Sequence, residues 1–408
     1  MRYKNEIIII FIITILVLFL KSINVFQVEN KLGYPIIMIL MILIFSILSI
    51  LIQRMIDKNY KNKKISYENL DILKYISAIL IIVLHLRPFS DFSSELDLAF
   101  NNIITRICVP IFFVITGYFV AKKEINNDNY IKDYIKKMIP LYLVWSIIYI
   151  PVLIGTINEY LPMINEYLSK INITLPLMIA LLIVLLPVAI LIALIYTGIY
   201  YHLWYFPAVI FSLLFLKKWK EKFNIKNLLV ISFILLLFGA TETYWGVIPS
   251  NLKQLLSYYY NIFFTTRNFL FFGLFYVVLG YYLGTKKEIY TKYCFEKFII
   301  SIFLLAFEAI LLHDTNRLNS NILISCVPLV YCLFLSSIYF TNKIRNTKQL
   351  RNLSKYYYLI HPMVIYSLSI MNLNISNPFV NIILVLLITH IISILIISIK
   401  KKNNKLII

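Results

Sequence analysis

The feature that most constrains this chain is a succession of long apolar stretches joined by short polar loops. A helix crosses the hydrocarbon core of a bilayer in roughly 20 mostly apolar residues. Stretches of that kind lie at 7–25, 34–52, 70–88, 102–121, 138–155, 203–216, 226–243, 265–284, 297–313, 321–341, 355–371 and 378–399. Composition agrees: 61% of residues are hydrophobic and 14% charged, against about 45–50% and about 25% in a soluble domain. An ordinary cytosolic enzyme and a disordered chain are both excluded. The pattern predicts an all-α polytopic membrane protein.

The chain carries a net charge of +20. On a compact soluble domain such an excess would point to nucleic acid. Here the cations sit in short runs between apolar stretches, which argues for membrane orientation and against a nucleic-acid partner. The runs are Arg54–Lys64, Lys122–Lys137, Lys217–Lys226, 286–297, 343–355 and the tail from Lys400. Placing them all in the cytoplasm gives a multi-pass protein of the cell membrane with both termini inside. One further apolar run, 173–200, breaks the alternation, because the basic runs on either side of it both read as cytoplasmic. Pro187 divides it into halves too short to span, so it is expected to make no net crossing, as a re-entrant or outer-leaflet segment packed on protein. The alternative is a thirteenth span with a basic loop outside. The expected count is twelve crossings. Residues 1–65 form a two-helix addition, its first stretch a retained anchor, and 66–408 form one membrane domain. The tyrosine-rich stretch Tyr196–Tyr205 fits an interfacial aromatic belt.

Ionisable groups inside spans are costly and therefore mark candidate sites. Lys74 and His85 are 11 residues apart in LDILKYISAILIIVLHLRPF. Three helical turns return them to nearly the same face, about 16 Å apart along the axis. A cation near the cytoplasmic end and a titratable base towards the outside would then share one stripe and face one cavity. Lys74 snorkelling to the inner surface and His85 as an interface histidine are the plainer readings. Arg106 opens RICVPIFFVITGYF, where Pro110 and Gly117 would bend or thin the helix and make room for a ligand. Arg267 opens RNFLFFGLFYVVLGYYLG. Both arginines suit an anion or a developing oxyanion, or else anchor headgroups. His202, in HLWYFPA, contacts substrate or makes a structural hydrogen bond. His361 precedes Pro362 and either contacts substrate or satisfies a carbonyl freed by that proline. Glu308 is an intramembrane carboxylate that would pair with an arginine or His313. Asp71 pairs with Lys74 or caps its helix, and His390 reads as structural. Cys108, Cys294, Cys326 and Cys332 form no CxxC pair and read as small hydrophobes. No histidine cluster has metal-ligand spacing, so no metal is expected. Motifs for nucleotide hydrolysis, zinc proteolysis and serine esterase chemistry are missing.

Taken in order, LDILK–X10–H, RICVPIFFVITGYF, HLWYFPA, RNFLFFGLFYVVLGYYLG and YYLIHP resemble the membrane acyltransferase-3 family, over roughly 66–400. The resemblance implies a ten-helix core, which leaves the first two spans as an addition. It implies an acyl-CoA donor, in the first place acetyl-CoA, reached from the cytoplasm, with no permanently bound cofactor. The acceptor would be a hydroxyl of a surface glycan or lipid-linked sugar. It implies that the basic residue and the histidine of the first core helix, here Lys74 and His85, are essential, and it maps Arg106 to the arginine before the VPxFF pattern. On that footing His85 is the base or transient acyl carrier, and Lys74 holds the donor. Arg106 and Arg267 stabilise the oxyanion or bind an anionic acceptor. Lys136 and Lys137 attract CoA phosphates or serve only topology. Two departures stand out. Lys74 replaces a frequent arginine and cannot form a bidentate fork. The fused esterase-like or racemase domain of some members has no counterpart, so a separate extracytoplasmic transferase completes the reaction or the membrane domain acts alone. The competing reading is a non-enzymatic exopolysaccharide or lipid translocator, or a membrane sensor, in which the arginines line a path and Glu308 relays protons.

Overall fold

A computed structural model describes residues 67–157, 187–286, 294–312, 320–339, 347–373 and 375–406. The two N-terminal stretches, the first part of 173–200, His313 and the 1–65 boundary lie outside the described residues. All regular structure among the described residues is helical.

In chain order the main helices are α1 (Glu68–Leu86), α2 (Leu98–Glu124), α3 (Tyr130–Ile148), α4 (Pro187–Thr197), α5 (Tyr205–Trp219), α6 (Ile225–Ala240), α7 (Ser250–Phe263), α8 (Phe269–Thr285), α9 (Cys294–Leu311), α10 (Cys326–Tyr339), α11 (Thr347–Ile370) and α12 (Pro378–Leu406). Three of the described helices are long and apolar enough to cross a membrane: α1, α2 and the Pro378–Lys401 part of α12. A fourth candidate is α3 together with the short helix Ile150–Ile157 that follows it at a bend of 41°. Helices α4, α6, α8, Ile300–Ile310 of α9 and Cys326–Ile338 of α10 are apolar but shorter. Pro187 opens α4, where its missing N–H costs nothing. Helix α7 falls outside every stretch picked out as a span. It buries Leu256 and Tyr260 on one face and exposes Leu255 and Ile262 on another.

Contacts divide the chain into two units. The first holds the described residues of Met1–Phe112, Ala240–Ile262 and Glu288–Ser354. There α9 packs on α10 and on 98–104, and α1 packs on α10 and on 98–107. Ile103, Leu305, Ala306, Ala309, Leu323, Cys326 and Leu329 form its core. The start of α2 is irregular, with a wide-turn segment Leu98–Ile104 and a tight turn Thr105–Ile107 just before Pro110. That is where a proline removes a rung from the preceding turn.

The second unit holds the described residues of Phe113–Gly239, Phe263–Lys287 and Lys355–Ile408. Its centre is α5, packed on α8 and α3. The lower half of α2 lies against α8 almost backbone to backbone. A β-carbon on Gly117 would sit 2.1 Å from the Val277 carbonyl oxygen, and one on Gly280 would sit 2.0 Å from that of Val114. Gly117 and Ala121 face Gly280 and Gly284, the small-residue spacing that lets membrane helices approach closely. The room expected for a ligand at Gly117 is therefore taken by the backbone of α8.

Candidate functional site

Helix α1 buries Leu70, Asp71, Ser77, Ala78, Ile81 and Ile82. Residues three and four apart share a helix face. Lys74 lies four after Leu70 and four before Ala78. His85 lies four after Ile81 and three after Ile82. Both therefore occupy the middle of the inward stripe, while Ile76 on the opposite face is 48% exposed. The two side chains are themselves half-buried. The stripe faces α10 and the beginning of α2. Asn69 Nδ2 donates to the Ser337 carbonyl of α10 at 3.0 Å, and Cys108 meets Ser77.

Each end of this helix is fastened. Asp71 accepts from Thr347 Oγ1 at 3.2 Å and lies 3.7 Å from Arg351 Nη1. Lys74 is within electrostatic range of both Asp71 and Arg351. At the C-terminal end the chain turns through Arg87, whose backbone is left-handed (φ 44°) and whose N–H bonds the Val83 carbonyl at 2.9 Å. The Arg87 guanidinium pairs with Asp97, which also accepts from Asn101. His85 thus sits in the last turn of a helix held at both ends.

Arg106 belongs to the same unit. Its Nη2 donates to Asn102 Oδ1 at 2.9 Å and its Nη1 to Asn321 Oδ1 at 3.4 Å. Asn321 in turn donates to Glu242 Oε1 at 3.4 Å. The amide joins a guanidinium to a carboxylate that is 1% exposed. Next to it, Thr243 Oγ1 accepts from Ile322 N at 3.1 Å. Glu242 and Asn321 were not singled out from sequence; the signal was an acidic residue in GATETYWG, between two apolar stretches. Among the described residues Glu308 is not paired with an arginine. Its carboxylate accepts from Tyr244 Oη, from Ile324 N at 2.6 Å and from Ser325 N at 2.7 Å. It therefore caps the N-terminus of α10, where a helix presents unsatisfied N–H groups and positive partial charge. Both oxygens are engaged in that work.

His202, His361 and Arg267 lie in the second unit. His202 and His361 are buried, their rings 5.8 Å apart, among Tyr149, Tyr200 and Tyr358. The Arg267 guanidinium lies 5.1 Å from the centre of the Trp204 ring and within electrostatic range of Tyr358. His361 Nδ1 bonds the Tyr357 carbonyl at 2.8 Å and the ring also reaches that of Tyr358. The Tyr358 carbonyl is the one Pro362 leaves without its helical donor. Tyr149 Oη donates to the Leu359 carbonyl at 2.7 Å and accepts from Met363 N at 3.3 Å, bridging the adjacent rung. His361 and Tyr149 together repair the proline break. His390 bonds Tyr357 Oη through Nδ1 at 2.7 Å, a structural contact. Cys108, Cys326 and Cys332 are buried and form no disulfide among the described residues. Among the described residues no cluster could hold a metal ion.

A basic residue and a histidine thus share the inward stripe of the first described helix, in a chain rich in apolar helices. The acyltransferase domain that defines the acyltransferase-3 family matches residues 67–398, and the chain belongs to that family. Among known proteins it is similar to two proteins called amino-acid racemase from Enterococcus faecalis. One is 28% identical over 303 residues, 72% of this chain and 39% of that protein. The other is 28% identical over 350 residues, 82% and 46% respectively. A serine/alanine racemase of Enterococcus gallinarum is 24% identical over 336 residues, 79% and 45%. The chain spans less than half the length of each of these relatives. No solved structure matches it.

Proposed function

We propose that this acyltransferase moves an acetyl group from cytoplasmic acetyl-CoA to a hydroxyl of a surface glycan or lipid-linked sugar. The observation that carries the reading is the placing of Lys74 and His85 on the buried stripe of one helix in a member of this family. The racemase activity in the relatives' names belongs to those longer proteins. On this reading the protein makes twelve crossings of the cell membrane with both termini inside, and α1 runs from the cytoplasm outward.

The reaction needs a base, a held thioester and a place for negative charge. His85 takes the proton of the acceptor hydroxyl as its oxygen attacks the thioester carbonyl. The tetrahedral oxyanion forms beside a cation, for which Arg106 is the assigned group. The C–S bond then breaks and the leaving thiolate takes the proton back from the imidazolium. Lys74, at the cytoplasmic end of the stripe, holds the donor. Arg267 and His202 are assigned to acceptor contacts. Glu308 and His361 keep the structural work described above.

The test is mass spectrometry of surface glycans from a deletion strain complemented with wild type or His85→Ala. Removing a general base costs about 10²–10⁴-fold in rate, so ester groups fall to the deletion level while the variant stays at normal abundance in the membrane. Full esterification by His85→Ala overturns the assignment. Loss of the whole polymer, not of its esters, replaces transfer by export.

A further inference from the structure

The turn at 241–244, TETY, puts four consecutive side chains to use. Thr241 Oγ1 and Tyr260 Oη share a hydrogen bond of 2.8 Å. Thr243 Oγ1 accepts from Ile322 N at 3.1 Å. Tyr244 Oη donates to Glu308, whose carboxylate also accepts from Ile324 N and Ser325 N. These contacts dock the turn on the segment that opens α10 and fix where Asn321 stands. Glu242 adds a further one: its Oε1 accepts from Asn321 Nδ2 at 3.4 Å, and the residue is 1% exposed. Burying a carboxylate is unfavourable unless it is well bonded, and its neighbours already dock the turn. The link leads on to Arg106, whose Nη1 donates to Asn321 Oδ1 at 3.4 Å.

Asn321 thus stands between a group that only donates and a group that only accepts. One orientation of the amide serves both, with oxygen towards Arg106 and nitrogen towards Glu242. With a neutral amide in place of the carboxylate, Asn321 is free to turn over and present N–H groups to the guanidinium. Another N–H of Arg106 goes to Asn102 Oδ1 at 2.9 Å. These two amides hold the guanidinium without themselves cancelling its charge, while Glu242 supplies a negative charge one amide away. The 105–107 turn that carries Arg106 packs on α1, the helix of Lys74 and His85. Links of 3.4 Å are long for N–H···O bonds and have room to shorten as negative charge develops.

We propose that Glu242 is a positioning residue for acyl transfer: through the Asn321 amide it fixes the Arg106 guanidinium in the orientation that receives the oxyanion. This rests on the acyl-transfer reading above. Glu242 touches no reacting atom and acts only through Asn321 and Arg106.

Full-length protein in nanodiscs is assayed for thiol release from acetyl-CoA, with surface glycan extracted from the deletion strain as acceptor. Arg106→Gln is expected to lower kcat about 10²–10³-fold, the loss of one oxyanion donor. Glu242→Gln, nearly unchanged in shape, and Asn321→Ala are each expected to lower kcat on the order of tenfold with KM for acetyl-CoA unchanged, because misplacing a group that acts in the transition state costs rate and not binding. In the Arg106→Gln background neither is expected to add a further loss. Additive losses overturn the proposal, since damage to the fold acts whether or not Arg106 is present. So does a wild-type kcat in Glu242→Gln or in Arg106→Gln. Modification of Arg106 by phenylglyoxal, followed by mass spectrometry of its peptide, reads the link without turnover. It is expected to be faster in Glu242→Gln than in wild type, and an unchanged rate overturns the link. If His85→Ala releases thiol as fast as wild type while modification still responds to Glu242→Gln, the acyl-transfer reading falls with the catalytic role, and the link stands. If release depends on His85 and the losses add, only the positioning role falls.

Discussion

The two units bury polar groups in opposite ways. In the first, charge is passed along adjustable bridges: Arg106 to Asn321 to Glu242, with both amide links at 3.4 Å, and Glu308 onto backbone N–H groups. In the second, backbones touch at glycines and aromatic rings stack around His202, with Tyr149 and His361 patching the break at Pro362. A long, amide-mediated link can reorganise around a changing charge at little cost. A glycine contact at van der Waals limit cannot. The polar links of the first unit are accordingly the adjustable ones, and the glycine contacts of the second hold two helices at a fixed separation.

That contrast can be broken most severely at Gly280. Gly280→Leu places side-chain atoms where a β-carbon already falls 2.0 Å from the Val114 carbonyl, and backbone cannot yield as a side chain can. The expected loss exceeds the ~1–3 kcal/mol of ordinary overpacking, so the variant should give no monodisperse protein on gel filtration in detergent. A wild-type elution profile and melting curve would show that the helices have room to separate.

A smaller effect is expected at the Glu124–Lys220 pair, whose side chains are 7% and 23% exposed. Glu124→Ala strands a mostly buried ammonium and should cost about 2–4 kcal/mol in thermal unfolding. Glu124→Ala/Lys220→Met should recover part of that loss, and additive single effects would mean that the two groups do not interact. The mildest change is in the first unit. Glu308→Gln keeps one oxygen acceptor and turns an amide N–H towards one of the two N–H groups that the carboxylate caps, for about 1–3 kcal/mol. A cost as large as that at Gly280 would erase the distinction between an adjustable unit and a rigid one.

Much of the architecture was legible because it is written in local periodicity. Apolar stretches at 70–88, 102–121, 226–243 and 378–399 fall on helices α1, α2, α6 and α12 within a few residues. The spacing of Lys74 and His85 fixes their common face as soon as the segment is a helix. Pro362 gives a local reason for His361 to turn to its own backbone. Helix α7 escaped because an amphipathic segment with Lys253 and Gln254 carries no span-length apolar run.

What tertiary structure alone decided are pairings between residues far apart in the chain. Nothing near Glu124 in AKKEINND separates it from a solvated loop residue, and its partners Lys220 and Tyr281 arrive on two other helices. Gly117 could have opened a space for a ligand or closed one against a neighbour, and the approach of Gly280 made it the second. The sequence by itself determined that the chain is helical and apolar, and which faces carry charge, because helix pitch and burial of apolar surface act over a few turns. Which distant carboxylate meets which cation depends on how helices dock, and side-chain spacing along one helix does not contain that information.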